Sequence, residues 1–197
     1  MVASYINIGE IILDLEVRRK LFHLFALLLW LLPINFFPKP LTILSFLLVL
    51  FINLLTVMGF WKERFPFYYR LVYKLEREKN YSKPSIQALW ANLGIFLGFL
   101  IFGKEASTVG VVVLAVGDAF AGMVGIRYGK RRIGNKSLEG AFAFFLSVFF
   151  VLSPFIGLWQ AFIVALLSSV AEILPLKLDD NFTIPLIASL VYKILML

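Results

Sequence analysis

The sequence predicts an all-α fold: a polytopic transmembrane helix bundle of about seven spans, N-terminus cytoplasmic, with interfacial amphipathic helices. Three observations predict it. Of 197 residues, 61% are hydrophobic, well above the roughly 45–50% of ordinary soluble domains. The apolar residues come in long runs, many near the ~20 residues that a helix needs to cross a bilayer, broken by short charged loops. Sixteen of the nineteen Lys and Arg fall on one side when alternate loops are assigned to alternate sides.

Residues 2–20 place Ile8, Ile11, Ile12 and Leu15 at helical spacing, the pattern of an amphipathic helix lying in the membrane interface. Span one follows at 21–37, its exit marked by Pro33 and Pro38, and span two at 41–61. The segment 62–85 is rich in Lys, Arg and Tyr. Within it Tyr68, Leu71, Val72 and Leu75 make one apolar stripe, which predicts a second surface helix on the cytoplasmic side. Spans three and four are expected at 86–102 and 106–126, a basic loop at 127–137, and spans five to seven at 138–152, 155–174 and 182–197. Gly94 and Gly98 form a GxxxG that serves close helix packing. No stretch is left for a separate soluble domain, so 1–197 reads as one integral membrane domain.

Basic residues set the orientation. Arg18, Arg19 and Lys20, the seven of 62–85, the five of 127–136 and Lys177 share one side, and only Lys39, Lys104 and Lys193 fall on the other. The positive-inside rule makes the first side cytoplasmic, so the expected location is the cell (inner) membrane, multi-pass, with the charged chemistry facing the cytoplasm. Glu10, Asp14 and Glu16 precede the first basic cluster and no small-residue cleavage site follows the first apolar run. The first helix is therefore expected to stay as an anchor.

Composition excludes several chemistries. There is no cysteine, hence no disulfide, thiolate nucleophile or cysteine metal site. One histidine, His23, cannot make a His-rich zinc site alone. The net charge of +7 does not point to nucleic acid, because the basic residues flank apolar spans, where orientation and anionic lipid account for them. Whether copies of the chain form a homo-oligomer is open in the sequence.

The sharpest motif is VGDAFAGMVGIRYGKRRIGNKSLEG, from Val116 to Gly140. Asp118 falls inside an apolar span, where a carboxylate costs a few kcal/mol and belongs beside a cation or a polar cavity. Asp118, Gly122, Gly125 and Gly129 are spaced to share one helix face, a strip of bare backbone leading to Lys130, Arg131, Arg132 and Lys136. An acid to hold a metal, with Lys and Arg for phosphate oxygens, suits a magnesium–nucleotide phosphate group. Ser137 and the start of the next helix add donors for an anion, and Glu139 sits in its first turn. The plainer alternative is glycine packing beside an orientation signal.

Two further clusters share the predicted cytoplasmic face. In EILPLKLDDNFTIP, Glu172 is again an acid in an apolar run, suited to a second metal contact or to taking a hydroxyl proton. Asp179, Asp180 and Asn181 follow, one of them expected to cap the last helix. In EVRRKLFH, Arg18 and Arg19 read as orientation signals, with Arg19 and Lys20 as candidate contacts to the nucleotide, and His23 as a packing residue, a base or a phosphate ligand.

These three motifs resemble a known family. GD-x-x-A-x-x-x-G-x-x-x-GK followed by NKSLEG, through Gly117, Asp118, Ala121, Gly125, Gly129, Lys130, Lys136, Ser137, Glu139 and Gly140, is similar to the nucleotide-binding signature of the CTP-dependent polyprenol and lipid kinases: dolichol kinase, phytol kinase and the yeast-type diacylglycerol kinase. E-x-x-RK-x-x-H at Glu16, Arg19, Lys20 and His23, and acid-then-DN-x-x-x-P at Glu172, Asp180, Asn181 and Pro185, are similar as well. The resemblance implies phosphoryl transfer from CTP to a lipid alcohol, with residues 118–139 binding CTP and a divalent metal, Mg2+ above all. The expected metal ligands are Asp118 with Glu139 or Glu172. Lys136, with Lys130 or Arg131, neutralises the phosphates, and Glu172 or Asp180 accepts the hydroxyl proton. A polyprenol, a phytol-like alcohol and diacylglycerol all remain as substrates. A phosphatidate cytidylyltransferase and a non-enzymatic transporter or channel are the alternatives, although the cytidylyltransferase signature of paired glycines and a late Asp-Arg is missing.

Overall fold

The structure, a computed structural model, describes residues 8–60, 62–76, 80–134, 136–175 and 178–197, and the side chains of these from Leu15 onward. Ile8, Ile11, Ile12 and Lys177 of the sequence reading lie outside the described side chains. The helices are α1 (Ile8–Leu28), α2 (Leu31–Phe36), α3 (Lys39–Val57), α4 (Pro66–Leu75), α5 (Ile86–Phe102), α6 (Lys104–Tyr128), α7 (Leu138–Ile156), α8 (Leu158–Ile173) and α9 (Asp180–Leu195). Among the described residues the chain is helical apart from loops and a ribbon of two residues per strand, β1 (Arg132–Ile133) and β2 (Lys136–Ser137), paired antiparallel inside the basic loop.

Among the described residues three helices, α3, α6 and α7, are long and apolar enough to cross a membrane, and α5 and α8 are shorter apolar helices. The chain is a multi-pass membrane protein on that basis. The sixteen-residue helices α8 and α9 reach ~24 Å, against a hydrocarbon core of ~30 Å.

Span one differs from its prediction. No break separates an interfacial prelude from a span: α1 runs through both. The chain then breaks at Leu29 and Trp30 and resumes as the six-residue α2. Pro33 accounts for this, since its ring would clash with the carbonyl of Leu29 in a continuous helix and it has no N–H to donate. The surface helix expected in 62–85 is present as α4, tied to α3 by Tyr69 Oη donating to the Thr56 carbonyl at 2.8 Å.

Two helix pairs turn on one residue. Gly103 (φ 89°) ends α5 and starts α6, and Gly157 (φ 90°) does the same between α7 and α8. These positive-φ corners suit glycine because it has no Cβ to clash. They make α5/α6 and α7/α8 tight helical hairpins.

Helix α6 sits at the centre, against α1, α5, α7 and α9. Its buried positions are mostly Ala, Gly, Ser and Val, so neighbouring backbones approach closely. Gly94 of α5 packs on Phe182 and Pro185 of α9, and Gly110 of α6 packs on Pro185 and Ser189. Toward α2 and α3 the core is aromatic: Trp30 stacks on Phe46 at 3.9 Å, and its Nε1 donates to Asn92 Oδ1 at 2.7 Å.

The architecture has two chemically distinct ends. Lys39, Lys104 and Lys193, the three outlying basic residues, line one pocket beside the Gly103 corner. The α6–α7 loop and the α8–α9 connection lie at the opposite end, together with Arg19 and Lys20 of α1.

Candidate active site

Four helices, α1, α6, α8 and α9, and the basic loop bring charge to that second end. Lys20 is buried on α1, and its Nζ lies 2.6 Å from Asp118 Oδ1 on α6. One turn along α6, Gly122 leaves the space that the Lys20 side chain fills. The glycine strip is thus partly a packing surface: Gly125 and Gly129 lie against Ser137, and Gly125 also against Gly140. Ser137 caps α7, its Oγ accepting from the Gly140 N–H at 3.0 Å.

Lys136, on β2, reaches across to two acids. Its Nζ is 2.5 Å from Glu172 Oε1 at the end of α8 and 2.6 Å from Asp180 Oδ2 at the start of α9. Burial works against the charge on Lys136, but Glu172 and Asp180 outweigh it and hold the ammonium above the ordinary lysine range. Glu172 is 4% exposed, and its Oε2 is buried without a hydrogen-bond partner among the described residues. Burying a carboxylate oxygen with no partner is costly, so this atom is available to a ligand. Asp179 is the N-cap of α9, its Oδ1 accepting from the Asn181 N–H at 2.9 Å and from Asn181 Nδ2 at 2.8 Å. That is the capping role expected for one of the three residues 179–181.

The two pairs and their neighbours enclose a cleft of about 330 Å³. Arg19, Lys20, His23, Asp118, Gly122, Gly125, Lys136, Ser137, Glu172, Asp180 and Asn181 all line it. The three separated motifs therefore meet. Arg19 is held by Glu16 at 2.6 Å, and its Nη1 donates to Gln87 Oε1 at 3.3 Å.

Four predicted residues stand outside the cleft lining: Gly129, packed on Ser137, with Lys130, Arg131 and Glu139. Glu139 turns out of the cleft: its carboxylate oxygens accept from the Arg131 N–H at 3.2 and 3.3 Å, in a shallow hollow with Phe142 and Leu146. The second position of α7 points it back along the preceding loop, to the Arg131 amide. Arg131 lines the same hollow, and Lys130 is exposed outside the cleft. Arg132, one residue on, is the loop arginine that lines the cleft.

The expected metal set of Asp118, Glu139 and Glu172 is accordingly not gathered, and no group of three candidate ligands forms among the described residues. The residues still fit a magnesium ion carried on phosphates, which needs only one or two protein carboxylates. Asp118 and Glu172, the latter with its unpaired oxygen, are the donors available.

Sequence reasoning missed Gln87, which also lines the cleft. Gln87 lies in the first turn of an apolar helix and its partner Arg19 is 68 residues away, so no local pattern marks it. Beside the cleft lies a larger apolar cavity of about 520 Å³ between α1, α3, α4 and α5, and Arg19, His23 and Gln87 line both.

Fold and site define a class: a membrane-embedded helical protein with a polar acid–base cleft at one end, opening beside an apolar chamber. Comparison with known proteins narrows it. The chain is 30% identical to the dolichol kinase of Schizosaccharomyces pombe over 92% of its own length and 40% of that protein. It is 29% identical to the CTP-dependent diacylglycerol kinase of Saccharomyces cerevisiae over 70% of its length and 49% of the relative. With a probable chloroplastic phytol kinase of Oryza sativa it is 30% identical over 59% and 44%. The chain spans less than half of each of these relatives. No family model and no solved structure matches. The chain is a distant homologue of the dolichol kinases, phytol kinases and CTP-dependent diacylglycerol kinases, over most of its length.

Proposed function

We propose that this protein transfers the γ-phosphoryl group of CTP to a membrane lipid alcohol at the cytoplasmic face. The observation that carries the reading is the cleft, where Lys20–Asp118 and Lys136–Glu172–Asp180 face one space that adjoins an apolar chamber. The homologous kinases are the second support. In this reading the chain crosses the membrane about seven times with its N-terminus inside, the sidedness that its basic residues favour.

The phosphates would lie against Lys136, Lys20, Arg19 and Arg132, with the Gly122–Gly125 backbone and Asn181 completing the wall. Asp118, with Glu172 where that acid is not the base, would hold magnesium, which would supply charge neutralisation on the phosphates when bound. Lys136 is held protonated by its two acids and would carry its charge to the γ-phosphate. The lipid oxygen attacks the γ-phosphorus, the bond from that phosphorus to the β–γ bridging oxygen breaks, and CDP leaves with the electron pair. Glu172, through its unpaired oxygen, or Asp180 accepts the hydroxyl proton, and His23 stands where the lipid hydroxyl would enter. Positioning and charge stabilisation supply most of the acceleration in such transfers.

The test is label transfer. With γ-labelled CTP and a panel of lipid alcohols, the expected products are labelled lipid and CDP. Pyrophosphate release with no lipid label would overturn the kinase reading in favour of cytidylyl transfer. Asp118→Asn is expected to abolish CTP binding in a protein that still folds, and unchanged binding would remove Asp118 from the site.

A further inference from the structure

We propose that the apolar chamber beside the cleft holds the substrate's tail and that its occupant is a diester glycerolipid, a diacylglycerol. This rests on the lipid-kinase reading and narrows its substrate class. The chamber's walls carry Phe22 and Ala26 of α1, Val49 and Asn53 of α3, and Leu71 and Leu75 of α4. Phe22 and Leu71 are exposed at its rim, facing what would be the acyl region of the bilayer. Tyr68 and Tyr69 pin α4 to Thr56 of α3, at 3.0 and 2.8 Å, so this wall is fixed by hydrogen bonds.

Continuity with the cleft sets the direction of the bound molecule. His23, Arg19 and Gln87 border both spaces. A lipid whose hydroxyl reaches the phosphate site past His23 therefore has its next atoms in the chamber.

Two amides in this wall differ in a way that selects the tail's chemistry. Asn92 is satisfied by the protein, its Oδ1 accepting from Trp30 Nε1. Asn53 is 8% exposed, and its Nδ2 has no hydrogen-bond partner among the described residues. A buried amide left so is costly, and such a group calls for an explanation. A bound acceptor removes the cost. The carbonyl of an acyl ester, a few bonds from the free hydroxyl of diacylglycerol, is such an acceptor. The tails of phytol and of a polyprenol are hydrocarbon and offer none.

The experiment uses the full chain in detergent micelles, with Trp61, Trp90 and Trp159 replaced by Phe so that Trp30 in the chamber wall is the sole tryptophan, excited selectively over tyrosine. Diacylglycerol with brominated acyl chains and brominated phytol are the quenchers. The expected result is saturable quenching by the diacylglycerol at about tenfold lower concentration than by the phytol. Asn53→Leu is expected to bring the two within about twofold, and Ala88→Leu, which fills the chamber, to weaken both. Equal or tighter binding of phytol, or an unchanged ratio in Asn53→Leu, overturns the proposal. Label transfer from γ-labelled CTP separates the two readings. Quenching that depends on Asn53, with no label in any lipid, sinks the kinase reading and leaves the chamber's assignment. Label entering phytol or polyprenol in preference to diacylglycerol sinks the substrate assignment and leaves the kinase.

Discussion

Lys20 Nζ lies 2.6 Å from Asp118 Oδ1, joining residues 98 apart in sequence on α1 and α6. Both side chains are largely buried, at 10% and 16% exposure. Removing one partner of such a pair strands the other charge and costs about 3–5 kcal/mol. Lys20→Met is therefore expected to destabilise the protein by about that amount. Lys20→Met with Asp118→Asn is expected to recover much of the loss, because no unpaired charge remains. Thermal unfolding of the single and double variants measures the coupling, and simple additivity would mean that the two side chains do not pair in the membrane.

Lys136 gives the pH dependence. Its folded pKa lies above its unfolded value of 10.5, through Glu172 and Asp180 against the opposing effect of burial. A cation so held adds stability that is fully present below pH 10.5 and is lost as pH rises through the folded value. The stability difference between wild type and Lys136→Met is expected to stay level from pH 8 to about 10 and to narrow above that. Lys136→Met is also expected to lose CTP affinity across the whole level range. A difference already narrowing at pH 8–9 would mean that the two acids do not raise the lysine.

Much of this arrangement is readable in the chain, for reasons that differ by residue. Span three reads as 86–102, the extent of α5, because polar residues precede it and Gly103 ends it. The three motifs meet in one cleft because alternate helix ends return to the same end of the bundle, which loop charges already indicate. What failed was local direction and distant pairing. Glu139 follows Lys136 by three residues and reads as its neighbour, yet the first turn of α7 sends it to the Arg131 amide. Pro33 reads as an exit signal, and only backbone geometry turns it into a break at Leu29. Lys20 shows in sequence as a charge beside a span, while its partner is a matter of how α1 docks on α6.

Glu172 and Glu139 provide a paired test of the cleft's membership. Glu172→Gln keeps the size of the side chain and removes the carboxylate next to Lys136. It is expected to lower turnover by about 10²-fold or more, with a smaller change in CTP affinity, as for a lost general base. Glu139→Gln is expected to keep turnover within about threefold of wild type and to change the melting temperature little, because the carboxylate it alters is exposed and bonds only to the loop. Steady-state kinetics with CTP decides the matter. A large loss for Glu139→Gln would place that residue back among the catalytic groups, and a loss confined to CTP affinity in Glu172→Gln would make Glu172 a metal ligand rather than the base.

The glycines between α5, α6 and α9 test whether the cleft depends on how closely those helices pack. A methyl group at Gly110 would meet the carbonyl of Pro185 as well as Ser189 Oγ, and backbone cannot move aside without shifting α9. At Gly98 the nearest atom is Ser189 Oγ, on a side chain that can turn away. Overpacking of this kind costs about 1–3 kcal/mol, so Gly110→Ala is expected near or above the upper end and Gly98→Ala near the lower. Because α9 also carries Asp180, which pairs with Lys136 at 2.6 Å, displacing α9 disturbs the cleft. Gly110→Ala is expected to reduce turnover together with stability, whereas Gly98→Ala leaves turnover close to wild type. Melting temperature and CTP turnover measured on both variants give the answer, and equal effects at the two positions would show that α9 does not rest on α6 as described.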